Sequence, residues 1–172
     1  MLLLAGFVRY AKNNSDIMKN TIQILFLIAI AFTISCSSSK NATNLKATNG
    51  HLAGTWTISD INVNIPSDFH VTDVFDEAPY EDFKGSTWNL IRNGKGSFTL
   101  TNGTKEDIYW SIYGKGDNAQ LQFKKLGGMK PKNVEDGYRL QLQNITNNNF
   151  TAISSVDLGN GNTGSITYTF TK

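Results

Sequence analysis

One cysteine in 172 residues leaves no internal disulfide to make, so any folded domain in this chain must be held by its core. Two histidines, His51 and His70, leave little for catalysis. A nucleophile–histidine–acid triad needs a histidine held by its neighbours. His51 lies in a polar stretch, and His70 follows Asp68-Phe69 in a segment with no regular pattern. Zinc needs three or four Cys, His or carboxylate ligands, and no such set is spaced along the chain. Asp73, Asp76, Glu77, Glu81 and Asp82 offer oxygen ligands for calcium, but without EF-hand spacing. Asp157 to Asn162 has too few carboxylates. Both stretches read as solvated loops. No glycine loop precedes a helix, so nothing cradles a phosphate. The expectation is a protein that is not an enzyme and holds no cofactor or metal. The excess of cations is only +2, with no basic patch of the kind nucleic acid requires. The most apolar segment, the eleven residues Ile22 to Phe32 with Gln23 their one polar member, is shorter than the roughly 20 needed to span a membrane.

That apolar run is informative through its flanks. Lys19 supplies a charged start, Ile22 to Phe32 an apolar centre, and Ser35 a small residue at the end, the pattern of a secretory signal. Met18 is the natural start of such a segment, and Met1 to Ile17 adds nothing to it, so translation is expected to begin at Met18. Cys36 follows Ser35 directly, and the chain turns polar at once in Ser37-Ser38-Ser39-Lys40. Thr33-Ile34-Ser35-Cys36 resembles the lipobox of bacterial lipoproteins. The resemblance implies a signal peptide over residues 1–35, cleavage before Cys36, and acylation of Cys36. Two or more acyl chains anchor a protein stably, so the implied partner of Cys36 is a membrane and the implied location is the cell envelope. Surface-displayed lipoproteins of related bacteria resemble one another in carrying acidic residues just after the cysteine. This chain has none before Asp60, which implies an outer-membrane anchor facing the periplasm.

Removal of the first 35 residues takes away Arg9, Lys12, Lys19 and Asp16. The remaining 137 residues are one domain's worth and carry 13 basic and 13 acidic side chains. These charges are segregated. Ala47 to Phe83 holds seven acidic residues and no lysine or arginine, whereas Lys84 to Lys132 holds nine basic residues. An acidic loop facing basic strand edges within one domain accounts for this. Residues 36–51 are mostly Ser, Asn, Thr, Ala and Lys, which cannot bury a core, and read as a flexible tether of roughly 20 Å reach.

From Leu52 the pattern is strands and turns. Trp56 and Ile58 alternate with Thr55, Thr57 and Ser59, and then the apolar phase shifts to Ile61, Val63 and Ile65. One extra residue near Asp60, a β-bulge, explains the shift. Pro66 to Phe83 has no period. Trp88 and Leu90 alternate with polar residues and lead into Asn93-Gly94-Lys95-Gly96, a hairpin turn in which Asn and Gly tolerate positive φ. Phe98 and Leu100 follow, then a turn at Asn102-Gly103. Ile108, Trp110 and Ile112 form the next apolar face, and Ala119, Leu121 and Phe123 another after the turn at Gly114 to Asn118. Lys125 to Asp136 is irregular. Tyr138, Leu140 and Leu142 alternate, Asn147 to Asn149 turns, and Phe150 to Val156 is a seventh strand. Asp157 to Gly164 reads as a Gly- and Asn-rich connection, and Ile166, Tyr168 and Phe170 mark the last strand. No helical period follows the signal. Eight strands joined by short turns predict an all-β fold, an eight-stranded antiparallel up-and-down barrel over residues 52–172, since closure removes exposed edges. A β-sandwich is the alternative.

Gly54-Thr55-Trp56 at the head of such a meander resembles the lipocalin signature. Phe83 to Trp88 with Asn93 to Gly96 resembles small bacterial lipoproteins called lipocalin-like. The resemblance covers Leu52 to Lys172 and implies that Trp56 plugs the closed end of a barrel, with Gly54 letting the backbone pass close by. Lipocalins carry a Thr-Asp-Tyr motif, which is absent here, and an arginine beyond the last strand that stacks on the tryptophan. The only cation in that place is Lys172.

Trp56, Trp88, Leu90, Phe98, Trp110, Phe123, Tyr138, Leu140, Tyr168 and Phe170 alternate into one interior. They line either a pocket for a small apolar ligand or a filled core, since eight strands leave room for side chains or one small ligand. Two functions follow. One is a lipid-anchored, lipocalin-like binder of a small apolar ligand. The other is a solid barrel whose loops, Pro66 to Phe83 and Lys125 to Asp136, meet an envelope protein or glycan.

Overall fold

The computed structural model describes residues 44–159 and 161–172. Eight strands form a closed barrel in chain order: β1 (Gly54–Asn64), β2 (Thr87–Leu90), β3 (Lys95–Thr99), β4 (Lys105–Tyr113), β5 (Gln120–Lys125), β6 (Tyr138–Gln143), β7 (Asn149–Gly159) and β8 (Asn162–Thr171). Every neighbour is antiparallel, and β8 closes the barrel on β1. The all-β, up-and-down barrel expected from the alternation is the fold.

The expected bulge is present. The β1–β8 register shifts between Ile58 and Asp60. Trp56 and Ile58 are buried before the shift, and Ile61 and Val63 take up the inward phase after it. The extra residue, Ser59, donates its hydroxyl to the carbonyl of Thr169. A one-residue insertion therefore reverses which side chains face inward, as a period of two requires.

Some boundaries differ from those read in the sequence. Asp157 to Gly164 is not a long connection, because β7 runs to Gly159 and β8 starts at Asn162. Long pairing with β7 recruits polar residues that alternation alone does not mark as strand. The first strand opens at Gly54 rather than Leu52, since Asn49–Leu52 is a single helical turn capped by the Thr48 side chain. A second turn of helix spans Tyr80–Phe83. Elements of one turn are too short to show a helical period. Leu45 and Ala47, tether-like by composition, pack against the core, and the Leu45 amide donates to the Ile145 carbonyl at 2.7 Å.

The two ends of the barrel are built differently. At one end the Asn49–Leu52 turn lies across the opening, with Leu52 fully buried and Asn49 Oδ1 accepting from the Ile112 amide. Trp56 packs beneath it, its indole N–H donating to the Leu52 carbonyl at 2.7 Å. Phe150 meets Trp56 edge-on at 4.7 Å and stacks on Phe170 at 4.4 Å. Lys172 lies over the Trp56 ring with Nζ 4.3 Å from the centroid. It takes the place that the lipocalin resemblance gives to an arginine. Gly54 makes the room: a Cβ there would sit 3.0 Å from Lys172 Cε, at a φ of +142° that disfavours any side chain. The opposite end, the mouth, is covered by the long connection from β1 to β2.

Candidate functional site

The mouth is where the sequence reading is least complete. Alternation on β2, β5, β6 and β8 turns Trp88, Phe123, Tyr138 and Tyr168 into the upper barrel, where they would ring an opening. The opening is filled by Phe75, from the β1–β2 connection. Its ring centroid lies 5.2 Å from Phe123, 5.3 Å from Tyr138, 5.4 Å from Phe83, 5.5 Å from Tyr168 and 6.5 Å from Trp88. Four of the five contacts are edge-on, the arrangement the ring quadrupole favours. Phe75 is 8% exposed, and Val74, Ala78 and Phe83 are buried beside it.

Phe75 reaches this place through a tight turn. The Val74 amide donates to the Ala78 carbonyl at 2.9 Å, and the Glu77 amide to the Val74 carbonyl at 3.2 Å. The two central residues, Phe75 and Asp76, have φ of 57° and 49°. Positive φ at both marks a mirror-image turn, normally built from Gly, Asn or Asp. Asp76 fits that rule. Phe75 does not: a bulky side chain there is an outlier and costs about 1–3 kcal/mol.

Two side chains from the barrel hold the strained turn. Tyr138 Oη donates to Asp76 Oδ2 at 2.9 Å. Lys125 Nζ donates to the Asp76 carbonyl at 2.7 Å and pairs with Glu77 Oε2 at 2.8 Å. The Lys125 and Glu77 side chains are 21% and 16% exposed, so this pair is shielded more than an ordinary surface bridge. Burial, followed by the hydrogen bond to Asp76 and its charge, raises the Tyr138 pKa well above its ordinary value. Tyr138 therefore keeps the proton it donates.

Tyr168 lies under Phe75 in a different condition. Its side chain is fully buried, and its hydroxyl has no hydrogen-bond partner among the described residues. Burial alone raises its pKa. An unsatisfied buried hydroxyl costs roughly 1–3 kcal/mol.

The other side chains read from the sequence as pocket or core are distributed through the barrel. Phe98 stacks on Trp88 at 4.9 Å, and Phe170 meets Trp88 edge-on at 5.7 Å, linking the mouth to the closed end. Leu90, Trp110 and Leu140 are buried in the same interior. The Trp110 indole donates to the Ile91 and Lys95 carbonyls of the β2–β3 hairpin. Tyr138 alone is partly exposed, at the rim. Cys36 lies outside the described residues.

Phe75 and Phe83 were missed because the connection reads as acidic. The available signal was the interleaving of Val74, Phe75, Ala78 and Phe83 with Asp73, Asp76, Glu77, Glu81 and Asp82. One loop acid faces a basic strand, Glu77 against Lys125 of β5, whereas the other ion pair runs the opposite way, from Lys84 in the connection to Asp60 of β1 at 2.9 Å. His51 sits in the Asn49–Leu52 turn with its ring nitrogen bonded to the Lys46 carbonyl. No three His, Cys, Asp or Glu side chains among the described residues stand together as a metal site. Two clefts open on the surface among the described residues. One is beside Leu45 and Ile145, and the other is lined by Tyr109, Gln122, Lys124, Lys130 and Lys132. Comparison with protein-family models, curated proteins and solved structures finds no match to this chain.

Proposed function

We propose that this chain is a lipid-anchored lipoprotein of the bacterial cell envelope whose barrel binds a small apolar molecule at its mouth. The observation that carries the binding reading is the difference between the two ends. The closed end is plugged by groups whose polar atoms are satisfied: the Trp56 indole is bonded and its ring face covered by Lys172. The mouth is filled by one ring on a strained turn, packed against Tyr168, whose buried hydroxyl has no partner among the described residues. A binding protein needs one removable occupant, and Phe75 fits that role.

The anchor reading rests on Thr33-Ile34-Ser35-Cys36 and the polar stretch after it. Acylated Cys36 holds the protein to the outer membrane, facing the periplasm. The described chain enters the barrel at its closed end, through Leu45 paired with Ile145, so the mouth lies at the end opposite that entry. The protein acts by binding and not by catalysis, with neither nucleic acid nor a cofactor among its partners. The His51 ring nitrogen is tied to the Lys46 carbonyl.

A second reading is favoured by the packing of Phe75 itself. If that ring never leaves, the barrel is solid, and the loops Pro66–Phe83 and Lys125–Asp136 serve an envelope protein or glycan. Native mass spectrometry of the protein extracted from its own membranes separates the two. A bound apolar mass supports the ligand reading. A bare polypeptide at every extraction condition supports the solid barrel.

A further inference from the structure

We infer that the turn Val74–Glu77 is a gate, that Phe75 is its resident self-ligand, and that the molecule displacing it is a compact apolar compound carrying one hydrogen-bonding group for the Tyr168 hydroxyl. This rests on the binding reading above and specifies its site, its moving part and its ligand chemistry.

Three observations converge. The first is how the β1–β2 connection is attached. Among the described residues, hydrogen bonds from Pro66–Glu81 to the barrel come from two side chains only, Lys125 and Tyr138. The turn's backbone bonds close on itself, between Val74 and Ala78. From Asp82 onward the attachment changes character. The Thr101 amide and hydroxyl both donate to the Asp82 carbonyl, and Gly85 donates to Ile58. The connection is thus a flap with a fixed base and two latches at its tip. The second observation is the strain at Phe75. A residue serving only as filler gains nothing from a left-handed backbone, and an Asn or Gly would close the same turn at less cost. The aromatic cage must compensate that strain, which lowers the free energy needed to open the flap. The third is Tyr168. The Phe75 ring packs against the Tyr168 ring at 5.5 Å between centroids, and a phenyl group cannot bond to the hydroxyl. A ligand of benzyl size bearing a carbonyl or hydroxyl would fill the same cage and satisfy that group.

The flap is tested without ligand by amide hydrogen exchange on the full chain in detergent micelles. The Val74 and Glu77 amides, which close the turn, should exchange at least about 100-fold faster than the Trp110 and Leu142 amides, which are bonded within the barrel. Lys125→Met with Tyr138→Phe releases both latches and should speed Val74 and Glu77 by about tenfold further, leaving Trp110 and Leu142 unchanged. Exchange of Val74 as slow as that of Trp110 overturns the gate. The ligand half is read from the Trp88 indole signal during titration with acetophenone and with ethylbenzene, its isostere without an acceptor. Acetophenone should bind more tightly, the latch variant should tighten both by about tenfold, and Tyr168→Phe should abolish the preference. Binding that ignores the latch variant overturns the gate while leaving the barrel a binder. A fast-exchanging flap with no response of Trp88 to either probe overturns the ligand assignment, while the bound mass sought by native mass spectrometry judges the binding reading separately.

Discussion

Tyr168 and Phe75 face each other, and each breaks a local rule. A buried hydroxyl without a partner and a phenylalanine with positive φ are both unfavourable, and both occur within one cluster of rings at the mouth. Strain of this kind persists only where the surroundings over-determine it. The hydroxyl gives a direct test. Tyr168→Phe removes the unsatisfied group and keeps the ring, so it should raise stability by about 1–3 kcal/mol. A loss of stability would mean the hydroxyl has a structural partner. The same residue sets a pH dependence. Burial raises the pKa of Tyr168, and burial together with Asp76 raises that of Tyr138, above the ordinary value near 10. The folded state therefore holds protons that the unfolded state loses. The stability linked to these tyrosines is complete below about pH 10 and falls as pH rises beyond it. Denaturant titrations across that range should show a decline that Tyr168→Phe makes shallower.

At the scale of elements, the closed end depends on one compact arrangement of Gly54, Trp56 and Lys172. Trp56→Ala removes a ring that plugs the barrel, packs on Phe150 and bonds Leu52, and should cost about 3–5 kcal/mol in chemical unfolding. Gly54→Ala forces a side chain into positive φ and against Lys172, so it should cost more than about 1 kcal/mol. Lys172→Met removes a cation from the ring face of Trp56 and should cost only about 0.5–1 kcal/mol. That order, Trp56 well above Gly54 and Lys172 last, is the signature of a plug held by packing rather than by charge.

The Trp56 plug was legible in the sequence, whereas the Asn49–Leu52 turn over it and the Phe75 turn at the mouth were not, for the same physical reason. Alternation reports which face of a strand is buried. It identified all eight strands, and even the bulge before Asp60, because each misplaced phase would turn a Trp, Ile or Phe outward. The cage residues Trp88, Phe123, Tyr138 and Tyr168 came out of the same pattern. Phe75 sits in a turn with no period, among acids, and its role depends on a backbone conformation that composition does not encode. The latches Lys125 and Tyr138 are more than 45 residues away from their partners, so nothing local announces them.

For the whole molecule, the proposed anchor at Cys36 can be tested apart from the barrel. The described fold begins at Asn44, and its core contacts begin with Leu45, downstream of Cys36. Among the described residues, the core is built from Leu45 onward. Cys36→Ala should therefore release the protein from the membrane fraction and end incorporation of a fatty-acid label, while thermal unfolding of the barrel stays within a few degrees of wild type. These readouts separate the reading of the anchor from the reading of the fold. A Cys36→Ala protein that remains in the membrane fraction places the attachment elsewhere. A released protein that unfolds at a much lower temperature shows that acylation, and not the aromatic core alone, holds the barrel together.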